Sequence, residues 1–232
     1  YYGLKGIPAA AEEVMVARDI ILARLTGGRL HICHASTLGT MDLIRQAKAE
    51  GLNVTCEVTP HHLTLSDEIV GTYDADTKVM PPLRSQEHIE ALRAALLDGT
   101  IDCIATDHAP HHLESKDCEY NLAAVGISGL ETAVAVVMDQ LVNRNLLTLN
   151  EMVRLFTCGP ADVMGLAKGR LNVGEAADIT IIDPHLSKTV DPQQFYSKGK
   201  NTPFKNMHLT GWPWATIVRG RLVYCDGSII EE

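Results

Sequence analysis

Three times in its first 111 residues this chain runs a short apolar stretch into histidine or carboxylate, at His31-Ile-Cys-His34, Glu57-Val-Thr-Pro-His-His62 and Asp107-His-Ala-Pro-His111. Helical patterns separate these stretches. From Ala9 to Thr26 the positions Val14, Ile20, Ile21 and Leu25 recur at helical spacing, and Gly27-Gly28 stops the run. The pattern then predicts a strand over Arg29 to Ala35, a helix over Thr40 to Glu50, a strand over Asn53 to Val58, a helix over Gln86 to Leu97 and a strand over Ile101 to Thr106. Two further helices are expected over Leu130 to Asn143 and Leu149 to Phe156, the second opened by the capping-box phrase Thr148-Leu-Asn-Glu151. Strands that alternate with helices of about 10 to 15 residues predict βαβ units and a parallel sheet. In such sheets the carboxyl ends of the strands carry the chemistry.

Beyond Gly165 the texture changes. Gly, Pro and Asp now separate short β-type runs at Asp178 to Ile182, Ala215 to Val218 and Arg221 to Tyr224, with a hairpin expected around Gly220. The reading divides the chain into an α/β part over residues 1–168 and a small β part over residues 169–232. A net charge of -9 and a pI near 5.5, with no basic run, argue against nucleic acid and anionic membranes and for a small-molecule partner. No apolar run approaches the roughly 20 residues that span a bilayer. Six cysteines without a CxxC pair are read as the reduced thiols of a cytoplasmic protein.

Strand alternation puts Asp107 on one face with Cys103 and Ala105, where it is a metal ligand, a general base or both, or else caps the next turn. His31 and His34 are three apart and face opposite sides, so only one enters a barrel interior. His34 is nearer the carboxyl end and is the better imidazole ligand for a divalent metal, which leaves His31 packed between strand and helix. His61 and His62 serve as a ligand, a loop hydrogen bond or, the favoured reading, hydrogen-bonding support for a ligand. The phrase Lys78-Val-Met-Pro-Pro-Leu-Arg84 is a substrate loop or a plain turn before a helix. Three polar strand ends converging on one mouth point to a metal-dependent hydrolase.

His31-Ile-Cys-His-Ala-Ser-Thr37, Glu57-Val-Thr-Pro-His-His-Leu63, Met80-Pro-Pro-Leu-Arg84 and Ala105-Thr-Asp-His-Ala-Pro-His111, together with Gly126–Thr132, Ala177–Ile182 and Asn201–Phe204, resemble the dihydroorotases of the amidohydrolase superfamily. The resemblance extends over essentially the whole chain. It implies a (β/α)8 barrel with a small β domain built from both chain ends, and one or two zinc ions per complete site. It also implies interconversion of dihydroorotate and carbamoyl aspartate in pyrimidine synthesis. At the matching positions, His34 becomes a zinc ligand and Asp107 the carboxylate that binds metal and shuttles a proton. His111 then binds the substrate carboxylate, and Val125 with Gly126 meets the ring through backbone groups. Met80 stands where the family usually carries a substrate-binding asparagine.

The family's first-strand His-x-His pair, fourth-strand lysine or aspartate and fifth-strand histidine have no counterpart here. The chain is therefore expected to be the C-terminal part, about three strand-helix units, of a TIM-type barrel plus a β-rich segment. It would pair with an N-terminal half and be inactive alone, with the inner faces of Ile32, Cys103 and Ala105 left open. A homo-oligomer or a complex with another pyrimidine-pathway enzyme is compatible with this reading. Two alternatives stand beside it. One is a hydantoinase or allantoinase, against which His111 suits the exocyclic carboxylate that hydantoins lack. The other is a catalytically silent homologue that acts as a structural partner.

Overall fold

In the computed structural model, which describes residues 2–230, helix α1 spans Ala9–Thr26 and ends at Gly27, whose N–H returns to the Ala23 carbonyl. Strand β1 follows at Leu30–Ile32, helix α2 at Leu38–Ala49 and strand β2 at Val54–Val58. Helix α2 starts at Thr37 because its hydroxyl accepts the Thr40 N–H at 3.2 Å. A short helix α3, Pro60–Thr64, fills what the sequence suggests is a rigid loop, with Pro60 in the first turn where no N–H is needed. Helix α4 at Gln86–Leu97 then leads to strand β3 at Cys103–Ile104. The three strands are parallel in the order β1-β2-β3, as the alternation predicts.

Register decides which residues can meet. His31 lies opposite Thr55, and Glu57 lies opposite Cys103. Along β2 burial alternates: Val54, Cys56 and Val58 are buried, and Thr55 and Glu57 only half-buried. The buried set packs with Ile32, with Met41 and Ile44 of α2, and with Leu92 and Ala95 of α4. Ile32 therefore belongs to the helix-covered face. This corrects the expectation that it lies open on an inner face, because the parallel register puts it in phase with Cys56. Cys103 is not open either, at 2% exposure; both residues of β3 are buried.

Four more helices follow: α5 at Leu113–Lys116, α6 at Ala133–Val137, α7 at Leu149–Phe156 and α8 at Cys158–Met164. Helix α7 carries the predicted capping box between Thr148 and Glu151. The strands β4 (Ile179–Thr189), β5 (His208–Val218), β6 (Arg221–Cys225) and β7 (Ser228–Ile229) form an antiparallel sheet in chain order. Gly220 lies in the turn between β5 and β6, where the hairpin is expected. The first two strands run longer than the sequence suggests. Pro184 and Pro213 read as breakers, but they fall where the β4–β5 pairing shifts register and a ladder bond is already lost.

A second core joins the β part to the α/β part, where Val79, Leu83, Ile127, Ala135 and Val136 pack in one cluster with Val190, Phe204 and Leu209. The helix expected over Leu130 to Asn143 is shorter, and continues from α6 as a π turn at Met138–Val142. There β5 approaches so closely that a Cβ on Gly211 would lie 2.6 Å from Met138 Cβ, and Asp139 accepts the Thr210 N–H at 3.0 Å. All six cysteines are free thiols, and no helix among the described residues is long and apolar enough to cross a membrane.

Candidate functional site

The site assembles where strands β1 and β3 give way to loops. His34 (φ 52°) and Asp107 (φ 47°) both adopt left-handed backbone, an uncommon state for residues with a Cβ. Each turn swings its side chain off the strand, so alternation no longer sets its direction. The two side chains meet, with His34 Nε2 3.4 Å from Asp107 Oδ1. On its other edge His34 Nδ1 lies 2.7 Å from Glu57 Oε1.

Glu57 also receives His31, whose Nε2 lies 3.3 Å from Oε2 while Nδ1 lies 2.8 Å from Thr55 Oγ1. His31 and His34 thus reach the same carboxylate. This corrects the expectation that His31 packs between strand and helix: its neighbours Thr55 and Glu57 lie on the face of β2 away from the helices. The sequence reading counts Glu57 among the polar strand ends but gives it no role. The signal that locates it is phase, since the register pairs His31 with Thr55 and so puts Glu57 on that face too.

Electrostatics follow from the contacts. Burial alone would raise the Glu57 carboxyl, but hydrogen bonds from His31 and His34 outweigh it and hold the group down at about 2. The hydrogen bond to Glu57, with the Asp107 charge nearby, lifts the His34 imidazole above its ordinary range despite partial burial. His61 is enclosed, and burial with His62 and His34 alongside pushes it well below the usual imidazole range. Burial likewise brings His62 down to about 4. His62 is a latch: its Nδ1 lies 2.7 Å from Thr59 Oγ1 and its Nε2 donates to the Pro81 carbonyl at 2.9 Å. That is the loop hydrogen bond among the three readings.

One imidazole nitrogen stands out, since His61 Nε2 is buried with no hydrogen-bond partner. His34 turns its Nδ1 edge to Glu57 Oε1 at 2.7 Å and its Nε2 edge to Asp107. Imidazole nitrogens with a carboxylate alongside are a donor set that suits a borderline divalent metal such as zinc. His31, Cys33 and Glu57 add a group whose ligand atoms all lie within 4.8 Å of one another.

The expected substrate residues gather around a second loop. His111 Nε2 donates to the Val125 carbonyl at 2.9 Å. Gly126 (φ 122°) has room for no side chain, since a Cβ would lie 2.5 Å from Ala109 Cβ and 3.3 Å from His111 Nε2. Its backbone is fully engaged: the N–H donates to Lys78 O at 2.8 Å, and the carbonyl accepts from Lys116 Nζ and Asn201 Nδ2, each at 3.0 Å. Val125 and Met80, 38% and 47% exposed, line a cleft of about 620 Å³ with Lys78, Val79 and Tyr120. This cleft does not include His34 or Asp107.

Asn201, outside the α/β part, joins the loops. Its Oδ1 accepts from His111 N at 3.0 Å and Ser128 Oγ at 3.1 Å, and its Nδ2 donates to the Ala109 and Gly126 carbonyls. The Met80–Arg84 phrase ends in an anchor: Arg84 is buried, and donates to Ser36 Oγ and the Ile7 carbonyl.

Residues 5–223 match the amidohydrolase family. The chain is similar to the dihydroorotase of Pelotomaculum thermopropionicum, with 60% identity over 227 residues that cover 98% of this chain and 53% of that protein. It is also similar to the dihydroorotase of Caldanaerobacter subterraneus subsp. tengcongensis, 53% identical over 99% of this chain and 53% of that protein. The chain spans about half the length of the curated relatives it matches. Among solved structures, the L-hydantoinase (dihydropyrimidinase) from Arthrobacter aurescens superposes with a TM-score of 0.93 at 34% identity, over 97% of this chain and 51% of that chain. The dihydropyrimidinase from Brevibacillus agri NCHU1002 gives 0.90 at 25% identity, over 96% and 50%.

Proposed function

Because the chain belongs to the amidohydrolase family, we propose that it is the C-terminal part of a dihydroorotase, a zinc-dependent cyclic amide hydrolase that interconverts dihydroorotate and N-carbamoyl-L-aspartate. In this reading the α/β part up to residue 168 contributes three strand-helix units to a TIM-type barrel, and the part from residue 169 contributes a small β domain. The observation that carries it is the pairing of His34 Nε2 with Asp107 Oδ1 at 3.4 Å, on two strand ends turned inward by left-handed backbone. Curated relatives at 60% and 53% identity, both dihydroorotases, support the substrate class.

His34 and Asp107 would hold the metal with ligands from the rest of the barrel. A bound divalent ion would supply Lewis acidity at the ring carbonyl and make water more acidic. The chain's own residues do the rest. Asp107 takes a proton from the attacking water as the C–O bond forms at the ring amide, then delivers it to the ring nitrogen as the C–N bond breaks. His111 donates its Nε2–H to the Val125 carbonyl, and in the imidazolium form its Nδ1–H is left to donate to the substrate carboxylate. Of the two ring-contacting residues, Val125 is the freer, since Gly126 has both backbone groups in use.

The test is Asp107→Asn in the complete protein. Turnover of dihydroorotate should fall about 10²–10⁴-fold, the range for loss of acid–base catalysis. Near-normal turnover refutes the assignment. The likeness to hydantoinase structures favours a second reading, in which the substrate is a hydantoin. Hydantoin turnover faster than dihydroorotate turnover would replace the first reading with the second.

A further inference from the structure

The inner face of the parallel sheet carries a continuous polar chain of which the reaction outlined above uses only the last two members, His34 and Asp107. It runs from Thr55 Oγ1 to His31 Nδ1 (2.8 Å), from His31 Nε2 to Glu57 Oε2 (3.3 Å), from Glu57 Oε1 to His34 Nδ1 (2.7 Å) and from His34 Nε2 to Asp107 Oδ1 (3.4 Å). Four of its five members come from strands β1 and β2 or the turn that ends β1. Thr55 is anchored in turn, since its hydroxyl reaches the Leu30 carbonyl at 3.4 Å. The chain therefore begins on sheet backbone and ends at the carboxylate assigned to proton transfer.

We propose that Glu57, clamped by His31, is the positioning residue of His34: it takes the Nδ1 edge of that imidazole and so presents Nε2 to the metal and to Asp107. The inference rests on the reading of His34 as a metal ligand. Two features of the chain call for such a clamp. His34 stands on a left-handed turn beyond the end of β1, where the Ala35 N–H fixes the backbone on the Glu57 carbonyl at 3.0 Å but leaves the ring free to rotate about its own bonds. It also has only two nitrogens. If Nε2 faces Asp107, orientation about the ring can come only from Nδ1, and Glu57 Oε1 lies 2.7 Å from it. Glu57 has two oxygens and divides them, one to each histidine, so that His31 blocks the rotation that would otherwise release His34. A carboxylate behind a ligating histidine fixes the ring and raises its basicity, and loss of such a partner typically costs about 10–100-fold in metal affinity.

The experiment measures zinc affinity of the complete protein by competition with a chromophoric chelator, with folding checked by the urea midpoint of the metal-free form. Glu57→Gln keeps the shape and removes the charge, and should weaken zinc binding about 10–100-fold. His31→Phe removes the clamp and leaves Glu57 in place; a loss near the lower end of that range is expected. This second variant carries the test if Glu57→Gln fails to fold. His34→Ala is the control for the underlying reading. If His34→Ala weakens zinc and Glu57→Gln leaves it within about threefold of the parent, the positioning role is wrong and the ligand assignment stands. If His34→Ala also leaves zinc affinity unchanged, His34 is not a ligand and both readings fall. A drop in urea midpoint that tracks the zinc loss in both variants would mean a purely structural role for Glu57, and would overturn the proposal as well.

Discussion

Replacing Glu12 with alanine should destabilise the protein by about 3–5 kcal/mol, the range for breaking a buried ion pair by removing one partner. Glu12 sits on α1 with its side chain 12% exposed, facing an Arg84 side chain 8% exposed. Its Oε1 accepts the Ser36 N–H at 2.9 Å and the Thr40 hydroxyl at 2.8 Å, and its Oε2 accepts the Ser36 hydroxyl. Arg84 NH2 lies 3.5 Å from Oε2, an ion-pair distance without hydrogen-bond alignment. Alanine leaves three donors and a guanidinium with no carboxylate. Three orphaned donors at about 1 kcal/mol each already reach the lower bound, and the buried cation accounts for the rest.

With a slope of about 3 kcal/mol per molar urea, that loss lowers the midpoint by about 1–1.7 M. Trp212 and Trp214 on β5 provide a fluorescence signal for the titration. Glu12→Gln retains one acceptor oxygen and should cost less, about 1–2 kcal/mol. Glu12→Leu combined with Arg84→Met removes both charges, and should be less damaging than Glu12→Ala. A Glu12→Ala midpoint within about 0.3 M of the parent, equivalent to about 1 kcal/mol on the same slope, would refute the argument. The consequence would reach the site, because the hub ties α1 to the segment after His34 and to the loop that begins at Met80.

Two further outcomes follow from the substrate loop. His111→Ala in the complete protein should raise KM for dihydroorotate about ten- to a hundredfold, the value of a hydrogen bond to a charged group, and leave zinc content unchanged; zinc loss would make His111 a ligand. Met80→Asn places a donor and an acceptor on the rim of the cleft beside Val125 and should lower KM; an unchanged KM would mean that another residue serves the ring there.

Local periodicity made most of the helices readable, and the same logic failed at the strand ends for a definable reason. Helices α1, α4 and α7 fall where they are expected, with the Gly27 stop and the Thr148 capping box in place, but the spacing misreads which face of α1 is buried: Val14, Ile21 and Leu25 are exposed, and Val16, Ile20 and Ala23 face the core. Strand β1 is three residues long, against seven expected, since His34 leaves it in a left-handed turn that no local pattern announces. Alternation then assigns His31 and His34 to opposite faces, whereas both reach Glu57.

Residue identity and order single out His34 and Asp107 as candidates, and their side chains lie 3.4 Å apart. Glu57 and Asn201 were not legible in that way. The proposed role of Glu57 depends on the register of β1 against β2, and the contacts of Asn201 span 73 to 92 positions of sequence. What such a site hides from sequence is therefore its supporting layer. The proposed ligand and proton carrier are a histidine and an aspartate at strand ends, marked by their chemistry, while the residues proposed to orient them are ordinary carboxylates and amides that only the pairing of distant strands and loops puts in place.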